Sequence, residues 1–195
     1  MPPRAKFTKE EIVTAALTIV REEGLSALTA RNLGKSLGSS ACPIFTVFSS
    51  MEEVYQAVIG AAKKIYKEYI EKGIPKLPVF SGVGEQYILF AINEPNLFKI
   101  LFMTESESMP IFSGVLPLLD ESYDKILHTI QEGYGITEKE AERLYRHLWV
   151  YTHGIATLCV TKMCRFTSDE IGTMTTEVFL SLLEKMKGER LNDRI

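Results

Sequence analysis

The sequence predicts an all-α protein of about nine helices: a small three-helix domain built on a helix-turn-helix at the N-terminal end, then a larger helical domain. Three observations predict it. Apolar residues recur at intervals of three and four, Ser or Thr stands three residues before Glu at the head of several such runs, and Gly or Pro closes them. No β-strand is needed, no internal repeat is visible and nothing is low-complexity.

The first helix opens on Thr8 and Glu11 in the capping-box relation, with Phe7 and Ile12 as the hydrophobic staple. Ile12, Ala15, Ala16 and Ile19 make its buried stripe, and Gly24 ends it. Ahead of it, Arg4 and Lys6 lie on a short arm that either reaches phosphate or stays a solvated tail. Residues 28–48, LTARNLGKSLGSSACPIFTVF, then read as two short helices joined by a tight turn. Thr29 caps the first, whose Ala30, Leu33 and Leu37 recur at helical intervals, and Gly38 supplies the left-handed position that stops it. Ser39 and Ser40 offer the next N-cap. Ala41 to Val47 would form the second helix, with Ile44 and Phe48 pointing inward and Ala41, Cys42, Phe45 and Thr46 outward. Pro43 falls in its first turn, where the missing N–H has no intrahelical partner. Such a second helix can lie against base edges in the major groove, although many helical domains with this turn never touch DNA.

Ser50 and Glu53 start a helix whose stripe is Val54, Val58, Ala61, Ile65 and Tyr69, broken at Gly73 and Pro75. Residues 50–73 would span roughly 35 Å at 1.5 Å per residue and form a connecting lever between domain 1–50 and domain 74–195. A connection over 74–82 leads into a helix from Val83 to Ile92, interrupted at Asn93-Glu94-Pro95. Asn96 to Met103 is short and very apolar; Phe90, Phe98, Leu101, Phe102 and Met103 suit either a core or the lining of an apolar pocket. Residues 104–114 read as an irregular loop, and Leu116 to Tyr134 as one helix closed by Gly133 and Gly135. Thr137 and Glu140 cap a helix running to about Met163, with Ala141, Leu144, Tyr145, Leu148, Thr152, Ile155, Ala156 and Cys159 as its stripe. Trp149, Val150 and Leu158 give it a second apolar face. Thr167 or Ser168 caps the last helix, with Ile171, Met174, Val178, Leu182 and Met186 in line, and residues 187–195 fray.

With 195 residues, 46% of them apolar, the chain can bury an ordinary core. Its charged opening and the lack of any apolar run near the roughly 20 residues a spanning helix needs place it in the cytoplasm, with no membrane partner. Three cysteines read as structural thiols rather than a disulfide framework. Residues 1–50 carry six Lys/Arg against four Glu, while residues 51–195 carry sixteen against twenty-one acids; the net of −3 hides a basic end on an acidic body. That excludes a general nucleic-acid coat and suits a protein presenting one end to phosphate. No enzyme is expected: His128, His147 and His153 have no nucleophile or carboxylate arrangement around them, and no glycine-rich phosphate loop occurs. His153, Cys159 and Cys164, six and five apart, lack metal-ligand spacing on a helix, so neither metal nor cofactor is expected.

Residues 8–54 resemble the DNA-binding domain of the tetracycline-repressor (TetR) family of bacterial transcription regulators. Residues 87–103 and 149–158 are similar to the ligand-binding halves of one TetR subgroup, marked by a Trp followed by a His-Gly pair, here Trp149, His153 and Gly154. The resemblance implies a repressor that binds a near-palindromic double-stranded operator as a homodimer, paired through helices of about 137–163 and 168–187, and that is released by a small-molecule effector. It implies DNA contacts from Lys6, Thr29, Arg31, Lys35, Ser39, Ser40, Ala41, Cys42, Phe45 and Thr46. A common family pattern of Tyr-x-His-Phe after the turn, with a Lys opening the next helix, is replaced here by Phe45, Val47, Phe48 and Met51. The Tyr and Lys that usually touch phosphate are missing, so affinity should depend less steeply on salt. Effector contacts are assigned to Phe90, Phe98, Phe102, Tyr123, Tyr145, Trp149 and His153, an apolar, aromatic set without fixed charges that fits an apolar or amphipathic molecule. His153, four residues after Trp149, serves either as the polar handle of that pocket or as a hydrogen-bonded core residue. The alternative function is a ligand- or protein-binding module of the same fold with weakened DNA binding.

Overall fold

A computed structural model describes residues 6–75, 79–105, 111–119 and 121–192. Among these there are nine α-helices and no strand: α1 (Lys9–Glu23), α2 (Ala30–Ser36), α3 (Met51–Gly73), α4 (Val79–Asn93), α5 (Pro95–Phe102), α6 (Phe112–Leu119), α7 (Tyr123–Tyr134), α8 (Glu138–Val160) and α9 (Ser168–Asn192). Arg4 of the N-terminal arm, and parts of the segments 74–82, 104–114 and 187–195, lie outside the described residues. No helix among them is long and apolar enough to cross a membrane.

The capping boxes at Thr8 and Thr137 are formed on both sides: each Thr hydroxyl accepts from the N3 N–H while the Glu carboxylate accepts from the Thr N–H at 2.8 Å. Thr167, not Ser168, caps α9, with Glu170 closing the same box. At α3 the box is split between two residues. Ser50 Oγ accepts from the Glu53 N–H, but the Glu53 carboxylate accepts from the N–H and hydroxyl of Ser49, which hold it below the usual carboxylate range.

Three boundaries differ from the sequence reading. Residues 116–134 make two helices: α6 starts earlier, at Phe112, contains Pro117, which has no N–H to extend the ladder, and ends at Leu119; α7 then starts at Tyr123 and ends at Gly135 with φ 60°. Helix α4 starts at Val79, inside the expected connection. Helix α8 ends at Val160.

The described residues divide into two compact units. Residues up to 65 together with 94–105 form unit 1, in which α5 packs on α1. Arg21 and Glu94 make a two-pronged ion pair, and Asn96 Nδ2 donates to the Arg21 carbonyl at 3.0 Å, fixing the start of α5 on the end of α1. Ile12, Ala16, Val20, Leu28, Leu33, Ile44, Phe48, Val54, Val58, Leu97 and Phe98 are buried here. Residues 66–93 with those after 105 form unit 2, organised around α4, which packs against α7, α8 and α9. A Cβ at Gly73 would lie 2.5 Å from the Gly82 carbonyl oxygen, so the missing side chain of Gly73 lets the end of α3 approach the start of α4.

Candidate nucleic-acid interface and aromatic interior

The candidate DNA-facing module starts with Thr29, whose hydroxyl accepts from the Asn32 N–H at 3.2 Å and so starts α2. After α2, Gly38 takes φ 64°, and Ser39 N–H returns to the Gly34 carbonyl at 2.9 Å. The turn depends on Gly34. A Cβ there would meet Ser40 C at 2.8 Å and Ala41 N at 2.9 Å, both backbone atoms, so only glycine lets the chain double back this closely. The sequence reading passed over this residue; a glycine placed inside a predicted helix was the available signal.

The second helix expected over Ala41 to Val47 is corrected: it is a 3-10 helix, Cys42–Thr46. Five residues with Pro43 near the start and β-branched Ile44, Thr46 and Val47 nearby suit the tighter i to i+3 ladder better than an α-helix. The expected faces hold except at Ala41, which is half-buried. Ile44 and Phe48 are buried, while Cys42, Thr46 and Phe45, the last 45% exposed, face outward. Side chains three apart eclipse in a 3-10 helix, so Cys42 and Phe45 lie on one side. The Thr46 hydroxyl donates to the Pro43 carbonyl at 2.7 Å.

Ala30, Arg31, Asn32, Lys35, Gly38, Ser39, Ser40 and Ala41 line an open depression beside α2, and no carboxylate is among them. Lys6 Nζ donates to Ser39 Oγ at 3.0 Å, adding a third cation to its rim. Below it, Tyr55 Oη donates to the Leu28 carbonyl at 2.9 Å, tying α3 to the segment that precedes α2. The geometry is suited to an anionic backbone: cations, hydroxyls and exposed backbone on one concave face.

In unit 2, Tyr66, Tyr87, Tyr145 and Trp149, with Ile70, Val83, Gly84 and Thr152, line a small, partly open cavity of about 10 Å³, room for no more than a single water. Tyr87 meets Tyr66 edge-on at 6.0 Å and Trp149 at 6.2 Å. His153 stacks on Trp149 at 4.9 Å, and its Nδ1 is hydrogen-bonded to Tyr87 Oη at 2.8 Å. Burial pushes the His153 imidazole below its ordinary value. Tyr123 stands edge-on to Tyr145 at 5.5 Å and donates to Glu142 at 3.1 Å; burial first, then that carboxylate, push its phenol up to about 12. Among the described residues no three His, Cys, Asp or Glu converge to hold a metal ion.

The chain shares its fold with a transcriptional regulator. One similar structure is a transcriptional regulator from Rhodococcus sp. Rha1, at a TM-score of 0.59 and 17% sequence identity, covering 92% of this chain and 97% of that one. No protein-family model matches the sequence, and no curated protein matches it.

Of the seven aromatic positions singled out in the sequence, the structure brings together Tyr123, Tyr145, Trp149 and His153. Phe90 lies in the same unit, fully buried and edge-on to Tyr66 and Tyr69. Phe98 and Phe102 both sit on α5, which belongs to unit 1, 5.0 Å from each other. An apolar segment announces that it will be buried but not in which core. Conversely Tyr66, Tyr87 and Thr152 line the cavity and were not singled out as site residues; Tyr87 lies in the YILF run and Tyr66 one turn before Ile70, positions legible as core only.

Proposed function

We propose that this chain is a cytoplasmic, TetR-type DNA-binding transcription regulator, a repressor that binds a near-palindromic operator as a homodimer and leaves it when an apolar or amphipathic small molecule binds in unit 2. It is read as a binding protein and not as an enzyme. The observation that carries the reading is the concave basic face made by α2 and its Gly34-dependent turn, with Arg31, Lys35 and Lys6 at its edge. The regulator with the same fold agrees with it. The effector's place is the aromatic cavity beside Trp149. In the state described that cavity is too small for such a molecule, so effector binding must enlarge it, and the enlargement is coupled to DNA binding as a two-state equilibrium in which each ligand weakens the other equally. Helix α3, which begins in unit 1 and ends in unit 2, is the covalent path for that coupling.

A second reading, a module of this fold that binds a ligand or protein and has weakened its hold on DNA, draws on two observations: the segment offered to the groove is only a five-residue 3-10 helix, and Phe45 exposes a ring without a hydroxyl. Selection of bound duplexes from random DNA at two salt concentrations separates the two. Enrichment of a sequence with two half-sites about one helical turn apart supports the regulator; recovery of no enriched sequence at low salt overturns it in favour of the second reading.

A further inference from the structure

The aromatic cavity of unit 2 has one wall that meets solvent. Seven of its eight lining residues are buried and Trp149 alone is half-buried, so a molecule arriving from water meets the indole first. Part of that indole is already covered: the His153 imidazole lies 4.9 Å from it and within 14° of parallel. The indole also meets the ring of Phe112, the first residue of α6, at 6.1 Å and 47°. Among the described residues Phe112 touches no other ring, His153 included, and it stays 36% exposed. Its tilt is neither the stacked nor the edge-on arrangement that aromatic pairs prefer. Its support is slight as well. Helix α6 is eight residues long, Gly114 leaves open space where a side chain would stand, and Pro117 has no N–H to extend the ladder; a helix that short does not hold itself in water.

We propose that Phe112 plugs the entrance to the cavity at Trp149, and that its seat is the subsite for a flat aromatic ring of the effector, which displaces the phenyl and stacks on the indole. The proposal rests on the reading of unit 2 as an effector site and names the part of the effector recognised there. A ring that is not tethered to a helix can turn parallel to the indole, as His153 does, whereas a puckered saturated ring cannot. Departure of Phe112 also frees Trp149 to shift, which supplies the enlargement that the cavity needs.

Trp149 is the chain's single tryptophan, so its fluorescence reports on this place alone. The unaltered chain, Phe112→Ala and Phe112→Tyr are compared with acrylamide as a small neutral quencher. Each is then titrated with nitrobenzene and with nitrocyclohexane, which carry the same quenching nitro group on a flat and on a puckered ring. Acrylamide quenching is expected to rise severalfold in Phe112→Ala and to stay at the unaltered level in Phe112→Tyr, which keeps the ring, with helical circular dichroism the same in all three. On the unaltered chain nitrobenzene should quench saturably and bind about tenfold tighter than nitrocyclohexane, the most that one aromatic pair supplies. It should bind Phe112→Ala tighter still, because no resident ring competes. Unchanged acrylamide quenching in Phe112→Ala overturns the plug, and equal affinity for the two nitro compounds on the unaltered chain overturns the flat-ring subsite. None of these measurements uses DNA. Success here with no duplex enriched from random DNA faults the regulator reading and leaves the subsite standing, and the converse pair of results faults the subsite alone.

Discussion

At residue scale, two glycines inside helices make opposite predictions. A mid-helix Gly→Ala replacement gains about 0.5–1 kcal/mol from backbone entropy. At Gly60 nothing stands within 4 Å of the new Cβ, so Gly60→Ala is expected to raise the urea midpoint by an amount of that order. At Gly34 the Cβ meets backbone at 2.8–2.9 Å, and overpacking costs of about 1–3 kcal/mol outweigh the entropy gain. Gly34→Ala should therefore lower the midpoint; equal or greater stability would show that the turn relaxes freely. His153 gives the pH dependence. Its folded value lies below the ordinary 6.5, so on acidification the unfolded chain takes up the proton first. Stability from this residue is intact above that pH, falls as pH drops through it, and levels off below the folded value. The carboxylates of Glu53, Glu170 and Glu189, held low by hydrogen bonds, lose their contributions only below about 4.5. Urea midpoints between pH 8 and 5 should thus decline more for the unaltered chain than for His153→Gln, and parallel curves would sink the argument. At the proposed DNA face, Phe45→Tyr adds a hydroxyl to an exposed ring without changing the buried Ile44 and Phe48, and should tighten operator binding at fixed salt. Unchanged or weaker binding would remove Phe45 from the interface.

At the scale of elements, what the sequence made legible is what neighbours in the chain decide. The boxes at Thr8, Thr137 and Thr167 are local, and removing one hydroxyl, Thr137→Ala, should cost about 1 kcal/mol in the urea unfolding of the chain. A loss below a few tenths would mean that packing alone holds α8 in place. Helix α8 buries seven of the eight expected residues, Ala141, Leu144, Tyr145, Leu148, Thr152, Ile155 and Ala156, with Val160 in place of half-buried Cys159. In α9 the expected ends of the stripe, Ile171 and Met186, are buried, but between them Thr175, Phe179 and Leu183 take the places expected of Met174, Val178 and Leu182. The buried line is Ile171, Thr175, Phe179, Leu183 and Met186, because the Thr175 hydroxyl satisfies itself on the Ile171 carbonyl at 2.6 Å and so looks polar only in the sequence. In α3 the buried positions advance by fours, Val54, Val58, Ala62, Tyr66 and Ile70, with the last two in unit 2; the expected Ala61, Ile65 and Tyr69 are half-buried. Which line faces inward, and which core takes α5, is decided by partners distant in sequence. Periodicity carries no record of them.

For the whole molecule, the same second line of α9 bears on assembly. Met174, Val178 and Leu182 remain half-buried, Leu180 is 49% exposed, and on α8 Val150 is 52% exposed beside Gly154, whose missing Cβ leaves open space. A homodimer paired through α8 and α9 would remove this apolar surface from water, and its two-fold axis would repeat the α2 turn at a fixed spacing, which a near-palindrome requires. A charge placed in that interface loses its hydration without gaining a partner, whereas the same charge on the surface of a monomer costs almost nothing. Leu180→Glu and Val150→Glu therefore discriminate between the two states. For a dimer, sedimentation of the unaltered chain shows a two-chain species and a melting temperature that rises with concentration; the variants sediment as single chains and melt lower, without concentration dependence. Operator binding by the variants should then fall further than either half-site contact explains, because two linked readers become two independent ones. A single-chain species at tens of micromolar for the unaltered protein would remove the homodimer, and with it the reason for expecting a palindrome.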